Sequence, residues 1–148
     1  MSDSPMSCVL LADRHHGLTE GVRGLLETAF GTVVMVADEA SLLEGAVRLR
    51  PEVAIVDLSL ARDHGLHWLR SLRQRCPDLK VIVLSVHDEQ SVRSAAIEAG
   101  ADAFVLKRAI ATDLLPAVDA VRRGQSGETT TDEGSTTPTR TPPPSVRS

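Results

Sequence analysis

Five short apolar runs rich in β-branched residues recur along the chain: CVLLA (8–12), TVVMVA (32–37), VAIVDL (53–58), KVIVLSV (80–86) and ADAFVLK (101–107). None of them alternates with polar residues. A strand with one wet face reads apolar, polar, apolar, so runs without that rhythm suit strands covered on both sides. Between the runs the period changes to that of a helix. Leu18, Val22, Leu25, Leu26 and Ala29 repeat along one helical face. Ser41-Leu-Leu-Glu44 has the form of a capping box opening a second helix, which Pro51 ends. Leu66, Leu69 and Leu72 mark a third, stopped near Cys76-Pro77, and residues 89–99 a fourth, closed by Gly100. Leu114, Leu115, Val118 and Val121 mark a fifth, with Thr112 as its predicted cap. Pro116 would then end the first turn, where it forfeits only an early hydrogen bond. Parallel strands joined by right-handed helical crossovers give a three-layer α/β/α sandwich.

In such sheets ligands sit at the carboxyl ends of the strands. Those ends carry Asp13-Arg14, Asp57, Ser85-Val86-His87 and Lys107. Asp57, on a rigid strand and aimed at a crevice, is placed to act as a nucleophile toward phosphorus and form an acyl phosphate. That reaction needs the phosphoryl charge neutralised by a metal ion, a lysine and a hydroxyl, and Lys107 and Ser85 suit the last two roles. No glycine-rich phosphate loop follows any strand, which argues against a nucleotide cofactor.

Hydrophobic residues make up 42% of the 148 and aromatics only 2%, so the core must be aliphatic. The net charge of −4 argues against a general nucleic-acid binder. No signal-peptide pattern or membrane-length apolar run is present, and Cys8 and Cys76 lack metal-ligand spacing. These features predict free thiols, a cytoplasmic setting and no membrane partner. Eighteen of the 25 residues from Gly124 to Ser148 are Gly, Ser, Thr or Pro, too few apolar groups to offset ordering entropy. The predicted organisation is a disordered N-terminus (1–6), one domain (7–124) and a disordered tail (125–148).

The stretches VLLADRH, PEVAIVDLSL, HGL, CPDLKVIVLSVHDE, IEAGADAFVLK and LLPAVDAVRRG resemble the response-regulator receiver domain of two-component signalling. The likeness is nearest to receivers that usually carry a LuxR-type helix-turn-helix. It implies a flavodoxin-like (βα)5 fold with strand order 2-1-3-4-5. It also implies that Asp57 accepts phosphate from a sensor histidine kinase, with Lys107 paired to it and Ser85 bonding a phosphoryl oxygen. Asp13, Asp57 and the Ser59 carbonyl would hold Mg2+, and Phe104 would be the switch aromatic. A receiver is no enzyme beyond self-phosphotransfer and slow autodephosphorylation; it acts through contacts with an output protein, with a homodimer as one arrangement.

Arg14 stands where receivers carry a second acid, which makes the pocket of Asp13, Asp57, Arg14 and Lys107 formally neutral and weakens the case for Mg2+. Leu60-Ala61 replaces the usual Met-Pro, and Val86 replaces a small residue and would narrow access to Asp57. Arg14 turned inward would give a pseudo-receiver, a binding module without productive phosphorylation; turned outward, an ordinary receiver. A phosphohydrolase would want an acid two residues after Asp57, where Ser59 stands. A truncated DNA-binding regulator is the remaining alternative, but no reading helix follows residue 124, so no direct nucleic-acid contact is expected of this chain alone. Among simpler roles, Asp57 could merely cap a strand, and Trp68 could pack a helix or anchor a partner. His15 and His16 read as solvated, and His15, His64, His67 and His87 lack ligand spacing.

Overall fold

The computed structural model describes residues 7–14, 16–60 and 65–124, with residues 16–19 by their backbone alone. The two segments assigned to disordered ends, His15, Ala61 and His64 lie outside the described residues. Strands β1 (Cys8–Ala12), β2 (Thr32–Val36), β3 (Val53–Asp57), β4 (Lys80–Ser85) and β5 (Ala103–Leu106) form one parallel sheet in the order β2-β1-β3-β4-β5. Helices α1 (His16–Leu26), α2 (Glu39–Leu49), α3 (His67–Arg75), α4 (Gln90–Ala99) and α5 (Ile110–Arg122) make the crossovers. This is the flavodoxin-like receiver topology that the resemblance implies.

The two-residue period of a strand divides each apolar run between two cores. Val9, Leu11, Val53, Ile55, Ile82 and Leu84 pack with Val22 and Leu26 of α1 and Leu114 and Val118 of α5. Leu10, Ala12, Ala54, Val56, Val81 and Val83 pack instead with Leu42 of α2, Trp68 and Leu72 of α3 and Ala96 of α4. Both faces are therefore dry, which is why the runs do not alternate. Each such valine, leucine or isoleucine contributes roughly 1.5–3 kcal/mol on full burial. Trp68 is fully buried and its indole donates to the Gly65 carbonyl at 3.0 Å, so it packs the core.

Two helix starts differ from the sequence reading. α2 is capped by Asp38, whose carboxylate accepts the Ser41 N–H at 2.7 Å; Ser41 is thus the third helical residue. α5 begins at Ile110, directly after a 3-10 turn over Lys107–Ala109. Thr112 lies inside it, its hydroxyl donating back to the Ala109 carbonyl at 3.2 Å. Pro116 consequently sits in the second turn, on the exposed side, where water can satisfy the carbonyl it leaves free.

At the opposite end of the sheet from Asp57, Arg73 of α3 joins three segments. Its Nε donates to the Gly100 carbonyl at 2.7 Å and its Nη1 to the Leu79 carbonyl, while Nη2 pairs with Asp102. Asp102 in turn accepts the Val81 N–H at 2.8 Å. Arg122, in the last turn of α5, stacks 4.7 Å over Phe30, donates to the Ala29 carbonyl at 3.2 Å and pairs with Glu52 at 3.1 Å. Cys8 and Cys76 are free thiols, and burial pushes the Cys8 thiol pKa up. No helix among the described residues is long and apolar enough to cross a membrane.

Candidate functional site

β1, β3 and β5 each deliver a charged side chain at the carboxyl end of the sheet. Asp57 closes β3, Asp13 follows β1 and Lys107 follows β5. Both aspartates are only 2% exposed. Lys107 Nζ pairs with Asp57 Oδ2 and lies 3.7 Å from Asp13 Oδ2. The other Asp57 oxygen accepts the Ser59 N–H at 3.0 Å. Burial pushes the Asp57 carboxyl pKa up, but the Lys107 hydrogen bond and charge, the Ser59 N–H and a hydrogen bond with Asp13 outweigh it. The carboxyl is held below its usual range. A buried carboxylate kept anionic beside an ammonium group is chemically a nucleophile with its counter-charge already in place.

Arg14 is exposed, yet its guanidinium reaches across the site: Nη1 donates to the Ser59 carbonyl at 3.3 Å. That carbonyl is one of the three oxygens expected to ligate a metal. The donor set of two carboxylates and a carbonyl fits a hard divalent cation in kind. Arg14, however, holds the carbonyl and Lys107 is within ion-pair distance of both carboxylates. The Ser59 hydroxyl is buried without a hydrogen-bond partner among the described residues. No cluster of three or more His, Cys, Asp or Glu fit to hold a metal occurs among those residues. His67 lies 3.5 Å from Glu39 and His87 3.8 Å from Glu89, as surface contacts.

Ser85 ends β4, but its hydroxyl is turned to its own loop. It accepts the His87 N–H at 2.9 Å and donates to the His87 carbonyl at 3.2 Å. A groove of about 720 Å³ joins Asp57, Ser85 and Lys107 to an apolar wall that includes Leu66, Val86 and Val92. Val86 is 67% exposed. Phe104 is buried in the core, with the guanidinium of Arg93 4.9 Å over its ring. Sequence reasoning missed this stack, and also the Arg108–Asp88 ion pair of 2.9 Å that ties the turn after Lys107 to the β4–α4 loop.

Residues 9–119 match the family model described as the response regulator receiver domain. The chain belongs to that family. Among curated relatives of this receiver, the transcriptional regulatory protein DegU of Brevibacillus brevis is 33% identical over 118 residues, covering 78% of this chain and 50% of DegU. The nitrate/nitrite response regulator protein NarP of Escherichia coli strain K12 is 36% identical, covering 78% of this chain and 55% of NarP. The chain thus spans about half the length of these relatives. Among solved structures, the isolated receiver of RcsB from Salmonella enterica serovar Typhimurium with phosphomimetic BeF3− is 28% identical. Its TM-score is 0.73, over 82% of this receiver and 92% of that chain. A LuxR-family two-component response regulator from Aurantimonas has TM-score 0.76 and 26% identity, over 83% and 89% of the two chains.

Proposed function

We propose that this receiver takes a phosphoryl group on Asp57 from the phosphohistidine of a sensor kinase and signals through protein contacts. The observation that carries this reading is the buried Asp57 carboxylate, kept anionic by Lys107 at the open end of the sheet. An Asp57 oxygen attacks phosphorus as the P–N bond to the kinase histidine breaks, and the imidazole leaves with its electron pair and takes up a proton. Lys107, already on Asp57, follows the charge onto the new phosphoryl oxygens. Ser85 can donate to one of them only after its O–H leaves the His87 carbonyl. A divalent cation on Asp13, Asp57 and the Ser59 carbonyl would neutralise the remaining phosphoryl charge; Arg14 competes for that carbonyl and brings a positive charge of its own.

The same Arg14–Ser59 bond supports a second reading, a pseudo-receiver without productive phosphotransfer. One experiment separates the two. The intact chain is incubated with acetyl phosphate and Mg2+ and weighed by intact mass spectrometry, beside Asp57→Asn. A labile phosphate adduct on the native chain, missing from Asp57→Asn, supports the phosphoacceptor; no adduct on either supports the pseudo-receiver. An adduct that persists in Asp57→Asn refutes the assignment of the site. Dimers bound to DNA have been solved for an RcsB relative; we propose a homodimer as one mode of contact here, without DNA contact by this domain itself.

A further inference from the structure

Arg93 lies on α4 and is only 7% exposed, a degree of burial that arginine seldom reaches without a carboxylate partner. No ion pair within 4.0 Å involves it among the described residues, and its Nη1 is buried with no hydrogen-bond partner there. What the guanidinium does have is the face of Phe104, 4.9 Å away. A desolvated cation over an aromatic face is held by the ring's quadrupole, and the attraction grows as water is excluded. The stack works in both directions. Phe104 compensates a charge that is otherwise poorly satisfied, so turning the ring outward would strand the guanidinium as well as expose the ring.

We infer that Arg93 is a positioning residue that keeps Phe104 in its buried place whether or not Asp57 carries phosphate. The inference deepens the proposed function and rests on it in one respect, the reading of Phe104 as the aromatic that answers to the phosphoacceptor. Two further observations support it. The Ser85 hydroxyl is committed to His87 while Phe104 is already buried, so the buried ring does not require a hydroxyl turned toward Asp57. The β4–α4 loop is separately pinned to the turn after Lys107 by Asp88 and Arg108 at 2.9 Å, and the positive charge of Arg93 acts on Asp88. The surface formed by α4 and β5 is therefore set by a cation within the domain, and phosphate has less of that equilibrium left to shift.

The chain has only two phenylalanines, Phe30 and Phe104, each under an arginine, so ring-labelled phenylalanine gives two NMR signals with a built-in reference. In Arg93→Met the Phe104 signal should shift and broaden while Phe30 stays in place, and Arg93→Lys, which keeps a cation, should recover most of the native position. A sharp, unshifted Phe104 in Arg93→Met overturns the inference, as does failure of lysine to do better than methionine. Should Arg93→Met not fold, the native chain and Phe104→Leu serve instead. Loss of the ring should move the Arg93 Nε–H resonance and leave that of Arg122; an unmoved Arg93 signal is the overturning result. Acetyl phosphate is then added to the native chain, with labelling read by mass. A Phe104 signal that stays put in phosphorylated protein supports the inference, and one that moves overturns it. If no label appears, the phosphoacceptor reading fails, while the comparison of Arg93 variants still decides the role of Arg93.

Discussion

Replacing Lys107 by methionine keeps an unbranched side chain, one atom shorter, and removes a cation set against two buried carboxylates. With an effective dielectric of about 20, unit charges at the 3.7 Å between Lys107 and Asp13 attract by roughly 4 kcal/mol before solvent compensation. Asp57 is nearer still, and stripping one partner from a buried pair generally costs about 3–5 kcal/mol. The loss has a ceiling, because one carboxyl can take up a proton. Protonating an ordinary aspartate costs about 4 kcal/mol near pH 7 and about 1.5 kcal/mol near pH 5. Lys107→Met should therefore lose about 3–4 kcal/mol near pH 7 and less than about 2 kcal/mol near pH 5. The signs agree. In the native protein the lowered Asp57 pKa gives a contribution that is present above the unfolded-state value and lost only as pH falls through the folded one. In the variant a retained proton raises the folded-state pKa, so stability declines as pH rises through it. Urea unfolding followed by the emission of Trp68, the single tryptophan and fully buried, measures both. Adding Asp57→Asn to Lys107→Met should restore most of the loss. Equal losses at the two pH values, or a loss below about 1 kcal/mol at both, would refute the reasoning from buried charge.

Three other perturbations have expected outcomes. Arg14→Asp removes the guanidinium from the Ser59 carbonyl and adds an acid, so Mg2+ affinity by calorimetry should rise by about an order of magnitude and acetyl phosphate labelling should quicken. Equal affinity in the two proteins would mean that Arg14 does not oppose the ion. Gly100 has φ +124°, and a Cβ there would come within 2.6 Å of Arg73 Cγ, so Gly100→Ala should cost about 1–3 kcal/mol in urea unfolding. A loss under about 0.5 kcal/mol would mean that the turn relaxes freely. Truncation after Gly124 should leave the thermal midpoint unchanged by calorimetry, and a fall of many degrees would show that residues 125–148 pack on the domain.

The strands and the charged ends of β1, β3 and β5 are legible in the sequence because each depends on local order. A run buried on both faces needs no partner to declare itself. Asp57 continues the two-residue step of Val53 and Ile55 to the end of its strand. Helix starts are less legible where two candidate caps compete: Asp38 and Ser41 both suit a cap, and only the fold determines which side chain meets which N–H. The contacts of Arg14, Arg93 and Arg108 are not legible at all. Arg14 and Ser59 are 45 residues apart, and helical periodicity assigns an arginine such as Arg93 to water unless the ring beneath it is known. Ser85 was recognisable as the strand-end hydroxyl, but its bonds to His87 depend on the path of the loop.

The attachment of Arg122 has a mechanical consequence. The last turn of α5 is fastened to the turn after α1 through Ala29 and Phe30 and to the residue before β3 through Glu52, on two sides at once. The helix can neither roll about its axis nor lift from the sheet without breaking one of these fastenings. Gly124, with φ +85°, then turns the backbone immediately beyond the fixed point. A displacement reaching α5 from the Asp57 end is therefore shared with the segments that hold Arg122, as a shaft keyed to its housing turns only with the housing.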